Sequence, residues 1–92
     1  MTAHAPEKPA AAPIAVEEAF AMIATSFNEP VENIRADTAR DALAGWDSMG
    51  VLMLTAEFDE RFSCELTSEE SGRMRSVADI LEFLRARGLL QA

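Results

Sequence analysis

The chain has 92 residues, enough for one domain with a modest core, and 49% of them are apolar, as in an ordinary globular protein. Sixteen acidic residues against eight basic ones leave a net charge of −8. That balance argues against nucleic acid and against anionic membranes as partners, because both select basic footprints, and it favours basic protein surfaces.

Residues 1–13 hold three of the four prolines and the only lysine, Lys8, among many alanines. They are predicted to be a disordered tail, with the folded domain over 14–90. From Ile14 to Phe27, Val16, Phe20, Ile23, Ala24 and Phe27 recur at helical spacing, with Glu17 and Glu18 in the first turn and Asn28 and Pro30 as stop signals. About twenty residues, 28–47, then lack a sustained period, and so long a connection in a small domain is usually functional or locally structured. One helical turn is predicted near Pro30–Ile34, with Val31, Ile34 and Leu43 pinning the connection to the core. A second helix is predicted over Ser48–Arg61, burying Met49, Leu52, Leu54 with Thr55, Phe58 and Phe62. Thr67-Ser68-Glu69-Glu70 is a capping-box pattern opening a short third helix that Gly72 ends. Ser76-Val77-Ala78-Asp79 is a second such pattern, opening a last helix with Val77, Ile80, Leu81 and Leu84 inward and Gly88 just past its end. The expected fold is all-α: a small four-helix bundle of three main helices and one short one, with a long loop between the first two.

Ser48 stands in the run Gly45-Trp46-Asp47-Ser48-Met49-Gly50, where the long connection meets the second helix. A serine there exposes its hydroxyl, and a phosphate ester on it would face unpaired backbone N–H groups and the positive end of the helix dipole. A nucleophilic role is disfavoured. The spacing is G-x-x-S-x-G, not that of a nucleophile elbow, and His4, the only histidine, lies in the tail. No catalytic residues are expected, and the chain is read as a non-enzyme. Cys64 is the only cysteine, so there is neither a disulfide framework nor a zinc-spaced Cys/His set. The acidic stretch lacks the ligand spacing of a calcium loop, so no metal site is expected. No segment resembles a signal peptide or a membrane span, and the expected setting is cytoplasmic.

Asp47-Ser48-Met49 resembles the D-S-L signature of acyl carrier proteins and related peptidyl carrier domains. Phe62, Glu65-Leu66, Glu69-Glu70 and Ser76-Val77 follow at the family's spacings, so the resemblance covers about residues 14–88. It implies a monomeric, non-catalytic protein of lipid or secondary metabolism. A phosphopantetheinyl transferase would attach 4′-phosphopantetheine from coenzyme A to Ser48, and the arm's thiol would hold an acyl group as a thioester. A loading ligase or acyltransferase would be a further partner, and Asp47 would belong to the patch read by the transferase.

Departures from the family pattern sharpen this expectation. Gly50 and Met53 stand where members serving fatty acid synthesis usually carry acids, and Leu52, Met53 and Ala56 are expected to form an apolar strip beside Ser48. Partner recognition is therefore assigned to Asp47, Met49, Leu52, Met53 and Ala56, with Asp59 and Glu60. A specialised, free-standing carrier read by a dedicated partner is the inferred type. Two alternatives stay open: an aminoacyl or peptidyl carrier loaded by an adenylating ligase, and a helical adaptor that is never modified. Trp46 is read as a lid packed over the connection, with a partner contact as the other option.

Overall fold

The computed structural model describes residues 12–91. Within them the chain forms four α-helices and no strand: α1 Val16–Phe27, α2 Ser48–Phe62, α3 Ser68–Arg73 and α4 Val77–Ala86. The architecture is a small helical bundle, as the periodicities predict. The expected tail, with His4 and Lys8, falls largely on residues 1–11, outside the described residues.

Helix α1 carries Glu17 and Glu18 in its first turn, where the dipole favours carboxylates. Its inner side buries Ala19, Met22, Ile23, Ala24 and Phe27, while Val16 and Phe20 are only half-buried at the edge of the core. Buried Ser26 satisfies its hydroxyl by donating to the Met22 carbonyl at 2.9 Å. Asn28 ends the helix in the left-handed conformation at φ 55°. Its N–H donates to the Thr25 carbonyl at 3.2 Å and that of Glu29 to Ala24 at 2.9 Å, which together make a Schellman motif.

The connection is more ordered than its sequence suggests. Besides the expected turn, at Val31–Asn33, it has a second 3₁₀ turn at Arg40–Ala42. Ile34, Leu43 and Trp46 are buried, but Val31 is 49% exposed and does not pin the loop. The chain turns inward only as it leaves the first 3₁₀ turn, at extended Ile34. Ala39 pairs with Ser76 in an antiparallel bridge: the Arg40 N–H donates to the Arg75 carbonyl at 2.8 Å, and that of Val77 to Thr38 at 2.9 Å. A parallel bridge between Ile14 and Leu90 ties the two ends of the folded part together.

Helix α2 packs along α1 through the row Gly50, Leu54, Phe58 and Phe62. Met49 and Leu52, expected in this buried row, are 64% and 62% exposed. The reason is angular. Residues four apart stay nearly in line at 3.6 residues per turn, so once Leu54, Phe58 and Phe62 face inward the row continues back to Gly50. Met49 and Leu52 then point away from it. Phe58 contacts Phe62 edge-on at 5.9 Å and Phe83 at 5.6 Å, joining α2 to α4.

Helix α3 opens with the predicted capping box: the Glu70 N–H donates to Thr67 Oγ1 at 3.1 Å, and the Thr67 N–H to Glu70 Oε1 at 2.9 Å. Gly72 does not end this helix, which runs on to Arg73. The second capping box does not form. Ser76 makes no side-chain cap, and Asp79 instead accepts the Arg75 N–H at 2.7 Å, one residue before the box position. The Ala39–Ser76 pairing holds Ser76 extended, so the Asp79 carboxylate finds its donor one residue earlier. Helix α4 buries Val77, Ile80, Leu81 and Leu84, as expected, and Gly88 follows its cap at φ 72°.

Two predictions follow from the packing. A Cβ on Gly45 would lie 1.6 Å from the Phe27 carbonyl oxygen, and one on Gly50 would lie 2.1 Å from the Gly45 carbonyl oxygen, whereas Gly72 has nothing within 4 Å. In urea unfolding, Gly45→Ala and Gly50→Ala should each destabilise the domain by at least about 1–3 kcal/mol, whereas Gly72→Ala should stabilise it by roughly 0.5–1 kcal/mol.

The second concerns acid. Hydrogen bonds from the Thr67 N–H and hydroxyl, helped by Arg87 and Arg73, hold the Glu70 carboxyl below its ordinary 4.5. A depressed folded-state value adds stability that is present above the unfolded value and lost as pH falls through the folded one. Wild type should therefore exceed Glu70→Gln in urea midpoint at neutral pH, and the gap should close as the pH is lowered beneath 4.5.

Candidate functional site

Ser48 is the first residue of α2, and Asp47 caps it. Asp47 is extended (φ −119°, ψ −168°), and its Oδ1 accepts the Gly50 N–H at 2.9 Å while its carbonyl accepts that of Val51 at 2.9 Å. The cap leaves the Ser48 and Met49 amides without a hydrogen-bond partner among the described residues. The Ser48 side chain is exposed, and its hydroxyl makes no hydrogen bond within them either. An oxygen substituent with unpaired helix-start donors beside it suits an anionic ester.

The site is built where the end of α1 meets the end of the connection. Trp46 is 6% exposed and stacks on Phe27 with ring centroids 4.9 Å apart. The structure thus favours the packing role for Trp46. Glu29 Oε2 accepts the Gly45 N–H at 3.1 Å, which fastens the loop one residue before Trp46. Gly50 has no room for a side chain, because its Cα faces the Gly45 carbonyl and the Phe27 ring. An acid at this position is therefore sterically incompatible with this approach to Ser48.

From Ser48 an exposed face runs the length of α2. Met49, Leu52, Met53 and Ala56 recur at i, i+3, i+4 and i+7, and Asp59 and Glu60 extend the same face. All six are exposed, including Met53 at 45%, so the helix brings together every residue assigned to recognition along one side, with Asp47 at its start. Asp59 and Glu60 form no ion pair among the described residues, whereas Glu57 is paired with Arg61 at 2.7 Å. The face is apolar near Ser48 and acidic at its far end. A shallow groove lined by Leu52, Met53, Ala56, Asp59 and Glu65 lies beside it.

Other chemistry is sparse. The described residues contain no histidine and no group of three or more His, Cys, Asp or Glu able to hold a metal ion. Cys64 lies beyond the end of α2, far along the chain from Ser48, and burial pushes its thiol above the ordinary range. No helix among the described residues is long and apolar enough to cross a membrane. The sequence reading missed two contributors to the site, Glu29 and Gly45. Only Gly45 left a local signal, as one of two glycines flanking Trp46-Asp47-Ser48-Met49.

Removing the cap should cost stability without removing the hydroxyl. Asp47→Ala should lower unfolding free energy by about 1 kcal/mol, and Asp47→Asn, which keeps an acceptor, by less. Urea denaturation followed by far-UV circular dichroism reads both. No protein-family model matches the chain.

Proposed function

We propose that the chain is a carrier protein of acyl-carrier type, with Ser48 as the attachment point for 4′-phosphopantetheine. The observation that carries this reading is the exposed Ser48 hydroxyl, without a hydrogen bond among the described residues, at the capped start of α2 and adjoining an exposed apolar face. The D-S-M triplet and the spacings that follow it supply the family resemblance.

The residues suit the group. The phosphodiester on Ser48 Oγ would lie beside the unpartnered Ser48 and Met49 amides, and the dipole end of α2 favours its charge. The arm, when bound, supplies a thiol that holds an acyl group as a thioester. This chain's own contribution is to hold the hydroxyl outward and to present Met49, Leu52, Met53 and Ala56 to whatever binds beside it. In this reading the Ser48 hydroxyl proton passes to a group on the transferase. Asp59 and Glu60, which form no ion pair among the described residues, suit a basic patch on that partner.

The adaptor reading is supported by the same exposed face, since large apolar side chains clustered on a surface mark interaction sites. Modification separates the two. Incubation with a phosphopantetheinyl transferase and coenzyme A should raise the intact mass by one phosphopantetheinyl group, and Ser48→Ala should abolish the gain while keeping the helical circular dichroism spectrum. An unmodified wild type whose partner binding survives Ser48→Ala would favour the adaptor.

A further inference from the structure

Arg40 ties the connection to distant segments through both its side chain and its backbone. Its Nη1 donates to the Ser71 carbonyl at 3.2 Å and to the Met74 carbonyl at 3.1 Å. These carbonyls belong to the last turn and the cap of α3; that of Ser71 also accepts the Met74 N–H at 3.2 Å, so Arg40 adds a second donor there. The same guanidinium lies over the Trp46 ring, 5.2 Å from its centroid. Its backbone N–H bonds the Arg75 carbonyl at 2.8 Å. Arg40 has no carboxylate partner among the described residues, so its charge is spent on carbonyls and an aromatic face.

These contacts form one line. Arg40 grips the end of α3 and the Trp46 ring; Trp46 stacks on Phe27; Asp47 follows and caps α2; Ser48 is next. Helix α3 has six residues and buries only Ser71 within itself, so it is held through its ends, where Leu66 and Met74 are buried, and through side-chain contacts to other segments. Hydrogen bonds made by a charged donor are stronger than neutral ones, so the Arg40 bonds link α3 firmly to the connection, beside the Arg87–Glu70 ion pair at 2.8 Å that holds its other side.

We infer that Arg40 is the positioning residue of Ser48, coupling the docking of α3 to the pose in which a modifying enzyme meets the serine. The reaction it serves is the proposed modification, and the inference rests on that reading for its kinetic part only. Without Arg40, the competent pose is populated only fractionally, and apparent affinity falls by that fraction while turnover at saturation is retained.

The test uses Arg40→Ala and Arg40→Lys, with Arg75→Ala as the control, since the Arg75 side chain lines a groove together with Arg40 and Trp46 without making these bonds. In Arg40→Ala, amides of α3 and of residues 38–47 should exchange together, about tenfold faster, with α1 and α4 unchanged. Acrylamide quenching of Trp46, the only tryptophan, should rise. KM of a phosphopantetheinyl transferase for the protein should rise about tenfold with kcat retained, with partial rescue by Arg40→Lys, which keeps one donor group. Exchange that speeds in 38–47 but not in α3 would overturn the coupling, and so would equal loosening of α1 and α4. Unchanged KM in an otherwise loosened variant would overturn the positioning role and leave the carrier reading intact. A wild type that takes no arm would defeat the carrier reading, while exchange and quenching would still decide the clamp.

Discussion

The structure depends on a backbone-to-backbone contact between the end of α1 and the approach to α2. At Gly45 and Gly50 a Cβ would fall 1.6 Å and 2.1 Å from carbonyl oxygens, so the loop can seat there only without side chains. Once seated, it places the Phe27 and Trp46 rings in a stack, brings Glu29 onto the Gly45 amide and leaves Asp47 one residue before the helix. The direction in which Ser48 points is a consequence of that seating. Close packing of this kind has little tolerance, because interiors are as dense as molecular crystals.

Helix α2 has two apolar sides with different duties. Gly50, Leu54, Phe58 and Phe62 lie at intervals of four and fill the core, whereas Met49, Leu52, Met53 and Ala56 face water. Keeping that much apolar surface exposed is unfavourable for solubility and does nothing for the fold. It is intelligible if a partner or a bound arm covers it, which links the physical cost to the proposed role. The acids at the far end keep the same face soluble and give it a sign.

Most of the bundle was legible along the chain because its signals are local. The helices of α1 and α4 follow from apolar spacing, the start of α3 from the Thr67–Glu70 box, and the cap of α2 from Asp47. Misreadings arose where two periodic assignments competed or a distant segment intervened. Met49 and Leu52 belong to an apolar pattern as regular as the buried one, and only the packing of α1 decides which row turns inward. Ser76 has a capping sequence, but pairing with Ala39 occupies it. The Arg40 side-chain contacts span more than thirty positions in the chain, from 40 to 71 and 74, where no local pattern records them.

By itself, then, the sequence determined that the protein is a small acidic helical bundle with a serine at the start of its second long helix. Caps and helix periods are properties of neighbouring residues, and neighbours in the chain are enough to specify them. Only the tertiary structure decided that Gly50 is a packing necessity, that Met49 and Leu52 are surface residues, and that Arg40 fastens the serine-bearing connection to α3. Each of these rests on a contact between segments far apart in the chain, and such contacts exist only after the helices have packed.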